Sequence, residues 1–298
     1  MNVRPIAPED FPAVAAFLAE DETHLFGRPS RLGVPDVAAW LAGLDLPSDT
    51  WLLVEGGGLV GLGWVEKHGD VGVAVGVVHR EHRGRGLGSQ LVDRSEQRLQ
   101  ALGAERIHSV TLAPDSAAAP LLTGRGYREV RRFWEMTIEL GADPPPEPSV
   151  PEGFRIEPFS NELARAFHAA LDEAFADHFE HQPTPFEEWW QRQAAMPDHD
   201  PSLWFLVRTG EEVVAAARND PERSGGGWIG ALGVRRAWRG RGLAKALLLR
   251  SFGEFHRRGR RRVGLGVDSE NTTGATKLYE SVGMVVDSEQ VVWEKELA

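Results

Sequence analysis

The chain has 298 residues, 42% hydrophobic and 26% charged, with no cysteine and a formal charge of -11 at pH 7. That composition excludes a disordered chain, disulfides, thiolate metal sites and a cysteine nucleophile, and it lacks the basic excess that nonspecific nucleic-acid binding needs. No apolar run is long enough to span a membrane and the first residues carry no secretory pattern, so a cytoplasmic protein without membrane or nucleic-acid partners is expected.

In chain order, the pattern predicts a short strand at 3–6, a helix over 11–20, and apolar strands at 51–55 and 59–66 flanking Gly56-Gly57-Gly58. A further strand, 71–78, runs into Arg83-Gly84-Arg85-Gly86-Leu87-Gly88, after which Leu87, Leu91, Leu99 and Leu102 recur at helical spacing. Residues 141–151 then hold five prolines, an extended and stiff composition. Beyond them come a strand at 154–157, a helix over 161–179, and strands at 204–208 and 213–218 around a turn at 209–211. Strand 228–234 runs into Arg239-Gly240-Arg241-Gly242-Leu243-Ala244. A helix follows, with Leu243, Leu247, Leu248, Phe252 and Phe255 on its apolar side and Arg257-Arg258-Gly259 at its close.

The two glycine-rich loops are 156 residues apart, and the pairs Val78/Val234 and Leu91/Leu247 keep that spacing. The chain therefore reads as a tandem repeat: a domain at 1–142, a linker at 143–151 and a domain at 152–298. Each is expected to be α/β, with a mostly antiparallel, mixed twisted sheet (α+β in character) flanked by helices. Each loop forms the N-terminus of a helix, where free N–H groups make an anion site. Gly84, Gly86 and Gly88, like Gly240 and Gly242, let the backbone approach a pyrophosphate, and Arg83, Arg85, Arg239 and Arg241 add positive donors. The loop lacks the Gly-Lys-Ser/Thr ending of nucleotide triphosphatases and the spacing of dinucleotide-binding folds. His24, His79 and His82 show no ligand spacing, so no metal is expected.

These residues resemble the GNAT superfamily of N-acetyltransferases. Both loops are similar to its Gln/Arg-x-x-Gly-x-Gly/Ala signature. The stretch Leu265-Gly266-Val267-Asp268-Ser269-Glu270-Asn271, followed by Thr272 to Lys277 and then by Leu278-Tyr279-Glu280-Ser281-Val282-Gly283-Met284, is similar to its strand–Asn–helix–Leu-Tyr-Glu element. The resemblance implies acetyl-CoA as co-substrate, its pyrophosphate on Arg239, Gly240, Arg241, Gly242, Leu243 and Ala244. Its pantetheine arm is expected along Leu232, Gly233 and Val234, with Asn271 beside it and Tyr279 near the sulfur as general acid. In the first domain the matching positions are Val78, Arg83, Gly84, Arg85, Gly86, Leu87 and Gly88. A phenol suits the acid's part because it donates at neutral pH to a departing thiolate. The alternation of Val263, Leu265 and Val267 with Gly264 and Gly266 suggests one face for the core and one for a ligand.

The first copy departs from the pattern. Aligned on Gly126 and Gly283, Leu122 falls where Tyr279 stands, and Pro114 or Asp115 where Asn271 stands. Leucine has no proton to give, so catalysis is expected in the C-terminal domain, with a silent N-terminal relative. The base is open: His178, near Asp177 and His181, is one candidate for base or acceptor contact, and Asp268 and Glu270 are rivals. Phe186, Trp189 and Trp190 belong to the core or to the acceptor cleft. The expected activity is acetyl transfer to a small-molecule primary amine by a monomer or homodimer. A non-catalytic acyl-CoA-binding module and a peptide or protein N-terminal acetyltransferase are the competing readings.

Overall fold

The computed structural model describes residues 1–196, 198–271 and 273–297. Its elements run β1 (Asn2–Arg4), α1 (Phe11–Phe26), α2 (Val34–Leu41), α3 (Leu46–Asp49), β2 (Thr50–Glu55), β3 (Gly58–His68), β4 (Val71–Val78), α4 (Leu87–Ala101), β5 (Arg106–Leu112), α5 (Ala118–Thr123) and β6 (Arg128–Glu139). They continue with β7 (Phe154–Pro158), α6 (Ala164–Phe175), α7 (Phe186–Ala195), β8 (Phe205–Thr209), β9 (Glu212–Arg223), β10 (Gly226–Val234), α8 (Leu243–Arg257), β11 (Arg262–Asp268), α9 (Ala275–Ser281) and β12 (Val285–Glu296). The helix expected over 161–179 is shorter. Asn161–Leu163 is a 3-10 turn, and the chain leaves helical geometry after Phe175.

Two units emerge: Met1–Phe133 with the residues from Ser288 onward, and Trp134–Asp287. In the first, the strands lie in the order β1-β2-β3-β4-β5-β12; in the second, β6-β11-β10-β9-β8-β7. Hairpins join β2–β3, β3–β4, β8–β9 and β9–β10, the pairs β1–β2, β7–β8 and β5–β12 are antiparallel across longer connections, and the parallel pairs β4–β5 and β10–β11 each enclose a glycine loop and a helix. The mixed, mostly antiparallel sheet expected from the sequence is what forms.

The packed units part elsewhere than at the proline-rich stretch. From Gln290↔Leu112 to Glu296↔Arg106, β12 pairs with β5 and closes the sheet of the first unit, while β6 from Trp134 on stands with the second. The linear division at 143–151 describes the sequence repeat; each unit takes its closing strand segment from the other half of the sequence. Strand periodicity tells which face is buried but not which partner a strand takes.

In the first unit, Val14, Phe17 and Leu18 of α1 pack on Leu52 and Leu62, and Leu99 of α4 packs on Val65, Ala74 and Ile107. In the second, Phe167 and Leu171 of α6, with Leu248, Phe252 and Phe255 of α8, pack around Leu206, Ala216, Ile229 and Leu265. Each loop helix settles onto a glycine. A Cβ at Gly72 would lie 2.4 Å from Leu99, and one at Gly227 would lie 2.4 Å from Phe255. That close approach seats the last turn of each helix on the start of its strand.

Candidate active site

Gly84 and Gly86 have φ of +74° and +79°; Gly240 and Gly242 have +76° and +79°. These left-handed turns are open where a Cβ would sit, the backbone geometry in which successive N–H groups can converge on one anion. The first helical bond after each N-cap glycine comes from Gln90 and from Ala246. Among the described residues, the N–H groups of 84–89 and 240–245 meet no acceptor. Such exposed donors at a helix N-terminus suit a pyrophosphate, to which each charge-assisted hydrogen bond contributes about 1.5–3 kcal/mol.

The arginines do not act alike. Arg83 and Arg239, expected to face the anion, turn back instead. Each donates from Nε to the carbonyl that ends the preceding strand, Val78 or Val234, at 3.2 Å. Arg239 also donates to the Ala174 carbonyl at the end of α6, at 3.1 Å, so it ties the loop to that helix. Arg85 makes a bidentate pair with Glu55 at 2.7 and 2.8 Å. Arg241 lies 5.2 Å over the Trp238 ring and has no ion pair among the described residues. Among the described residues, only the second loop keeps an arginine without a carboxylate partner.

Beyond each loop the parallel strands separate. Pairing of β4 with β5 ends at Ala74↔Ser109, and pairing of β10 with β11 ends at Ile229↔Leu265, although β10 runs on to Val234 and β11 to Asp268. Among the strands, residues 231–234 pair only with β9, which leaves part of the backbone of Leu232–Val234 facing the split, where the Val234 carbonyl already accepts from Arg239. A chain of amide groups such as pantetheine can pair there as a strand would. Gly233 is glycine for another reason: a Cβ would sit 2.6 Å from Ala174 on α6.

The units differ at this split. β10 carries a bulge, its register on β9 shifting between Ile229 and Ala231, whereas the β3–β4 ladder runs unbroken from His68↔Val71 to Gly61↔Val78. A bulge re-aims backbone groups and is favoured beside active sites. The extra residue is Gly230, where a Cβ would strike Arg218 and Asp220 at 2.2 and 2.7 Å. Arg218 holds Asp220 at 2.6 Å. Burial pushes the Asp220 carboxyl above its ordinary range, with Arg218 pulling the other way. Sequence reading missed this pair. Its one signal was an arginine and an aspartate two residues apart, hence on one face, just after the apolar run 213–217.

Tyr279 lies on α9, buried among Met136, Leu265, Val267 and Met284. Burial pushes its phenol up to about 12, so it stays protonated and able to donate across neutral pH. Its hydroxyl has no hydrogen-bond partner among the described residues. The backbone fixes its counterpart: Met284 N–H donates to the Tyr279 carbonyl at 3.1 Å as Tyr127 N–H donates to that of Leu122 at 3.0 Å. Leu122 is 2% exposed and stands where Tyr279 does.

The same comparison resolves which residue matches Asn271. Asn271 N–H donates to the Asp268 carbonyl, and its Oδ1 accepts from Thr273 N–H at 2.8 Å. Asp115 N–H donates to the Leu112 carbonyl, and its Oδ1 accepts from Ala117 N–H at 3.1 Å. Asp115, not Pro114, is the counterpart. Thr272, within the motif, lies outside the described residues.

His178 follows α6, its ring 4.3 Å from Phe175. Burial pushes its imidazole below the usual range, and Asp268 is the strongest charge opposing that shift. His178 and Asp268 are thus brought into one field at the open end of β11, while Asp177 is drawn away by Arg236. Glu270 donates its N–H to Asp268 Oδ1 at 2.9 Å and lies at the exposed turn beyond. On the glycine face of β11, the Trp228 ring fills the space at Gly264, 2.7 Å from where its Cβ would be, whereas Gly266 is exposed. Phe186, Trp189 and Trp190 join Phe159, Phe167 and Trp204 in an aromatic cluster, and all three of the α7 rings remain half-buried.

The sequence pattern of the Acetyltransferase (GNAT) family matches residues 14–127 and again 161–284. Mycothiol acetyltransferase of Thermobispora bispora is 33% identical over 239 residues, 78% of each chain. That of Streptomyces coelicolor is 28% identical over 98% of this chain and 93% of its own. Among solved structures, a GCN5-related N-acetyltransferase from Sphaerobacter thermophilus superposes with a TM-score of 0.87 at 35% identity, covering 99% of this chain and 95% of that one. A tandem GNAT protein from the clavulanic acid biosynthesis pathway shares the fold at a TM-score of 0.75 and 16% identity, over 100% and 98%. Two loop-and-split units with this double match make the chain a tandem member of the GNAT family and an N-acetyltransferase.

Proposed function

We propose that this protein transfers the acetyl group of acetyl-CoA to the primary amine of a small molecule, with catalysis in the C-terminal copy (152–298) and a silent N-terminal copy (1–142). The observation that carries this reading is the coincidence, in the second unit alone, of an open strand split, a bulge at Gly230 and the phenol of Tyr279. The neutral amine attacks the thioester carbon, forming the C–N bond while backbone N–H groups of the bulged β10 stabilise the oxyanion. The C–S bond then breaks, and the Tyr279 hydroxyl gives its proton to the departing thiolate. His178, held neutral by burial, takes the proton that the amine loses. Asp220 with Arg218 offers the acceptor polar contacts beside the bulge.

The relatives named mycothiol acetyltransferase favour a small-molecule acceptor, and the deacetylated form of mycothiol is the first amine to try. A cytoplasmic location, as monomer or homodimer, accompanies this reading. The test is free-thiol release from acetyl-CoA over a panel of primary amines and peptides. Turnover with a small amine supports the reading. Acetyl-CoA binding with no amine turned over would leave a binding module, and turnover of peptides alone would move the acceptor to a polypeptide N-terminus.

A further inference from the structure

The two copies hold their loop arginine differently beside the split. In the first unit, Arg83 donates to the Val78 carbonyl at the end of β4, to Asp115 Oδ1 in the turn after β5 at 3.1 Å, and to Asp21 on α1 at 3.1 Å. One guanidinium therefore ties together the ends of the two diverging strands and the helix above them. All three side chains are at least half-buried, Asp21 the most so, with 11% of its side chain exposed, and screening by solvent is correspondingly weak. In the second unit the same arginine, Arg239, reaches the Val234 carbonyl and the Ala174 carbonyl on α6. The place of Asp21 on α1 is taken on α6 by Ala174, which offers only its carbonyl; Asp177, beyond that helix, pairs with Arg236 and stands 3.7 Å from Arg239. The residue matching Asp115 is the neutral Asn271, whose Oδ1 is spent on Thr273. Nothing among the described residues ties Arg239 to the turn after β11.

We infer that Asp115 decides which copy admits the acyl-CoA arm: the Asp21–Arg83–Asp115 bridge bolts the split between β4 and β5, and Asn271 leaves the split between β10 and β11 open. An arm entering the first split must separate Arg83 from Asp115, breaking a half-buried ion pair and stranding Asp115 beside Asp21. In the second unit entry breaks no ion pair. The inference rests on the reading that the second unit binds acetyl-CoA.

The test is calorimetric titration of the full chain with CoA, together with amide hydrogen exchange to locate each site. The wild type is expected to bind one CoA per chain, with protection at 240–247 only. Asp115→Asn, which copies Asn271 and keeps the acceptor for Ala117 N–H, is expected to bind two, with new protection at 84–91. Arg83→Gln, which removes the bridging cation and keeps the family's alternative residue, is expected to behave likewise. Two CoA molecules on the wild type would overturn the inference, as would a single one on both folded variants. No binding to the wild type at 240–247 would instead sink the reading of the second unit.

Discussion

Tyr279 and Leu122 occupy the same turn of the same short helix, each accepting from the N–H five residues on. Replacing Tyr279 with Phe keeps the ring in its apolar surroundings and deletes the proton. Turnover should fall about 100-fold or more, the usual contribution of a positioned acid, while the acetyl-CoA affinity stays unchanged. An equal loss of kcat and affinity would mean that the phenol only packs. His178 gives a prediction with a sign. Its pKa lies below the ordinary 6.5, so the neutral base persists at pH 7 and is lost as pH falls through the depressed value. kcat/KM should therefore decline on the acid side, and His178→Gln should lower the rate and flatten that limb. Folding shares the sign, because the unfolded chain binds the proton more readily and stability rises with pH through that window. Tyr279 and Asn271 were legible as residues in a motif. Arg239's attachment to Ala174 was not, because an arginine in a phosphate loop reads as a phosphate ligand until its donors are traced.

At the scale of elements, strand, glycine loop and helix act as one piece because the helix rests on bare backbone. At Gly227, alanine would push a methyl into Phe255. Overpacking of this kind costs about 1–3 kcal/mol. Gly227→Ala should therefore lower Tm by several degrees in a thermal scan, at roughly 2–4 °C per kcal/mol for a chain of this class. Phe255→Leu in the same chain should return part of the loss; no recovery would place the strain elsewhere. At Gly230 a methyl meets Arg218 and Asp220 instead, so Gly230→Ala should cut turnover with little change in Tm, read by paired activity and melting assays. The loops and their helices followed from glycine and leucine spacing. The bulge did not, since a register shift depends on how β9 and β10 pair and leaves the alternation of each strand intact. Trp228 was hidden for a related reason, because its partner Gly264 lies on the neighbouring strand.

At the scale of the whole molecule, the repeat was plain from residues 156 apart, yet that each unit closes with a strand segment from the other half was invisible to it. A chain cut after Asp287 should leave the second unit intact and bare the edge of β5 in the first. Amide exchange of such a chain should show 106–112 losing protection while 226–268 keeps it; equal protection in both would mean that β12 adds nothing to the first sheet. The two halves expressed separately at 143–151 should fare worse than the pair expressed as one chain.

That closing strand also sets a clock. Trp293 bonds Thr111 across 182 residues of chain. At about 5–20 residues per second, a ribosome takes roughly ten to forty seconds to make that stretch. The nascent first unit waits through all of it with a raw sheet edge, while the second unit, begun later, has every strand it needs first. The N-terminal copy is thus the first synthesised and the last completed, and an aborted translation product can never present it whole.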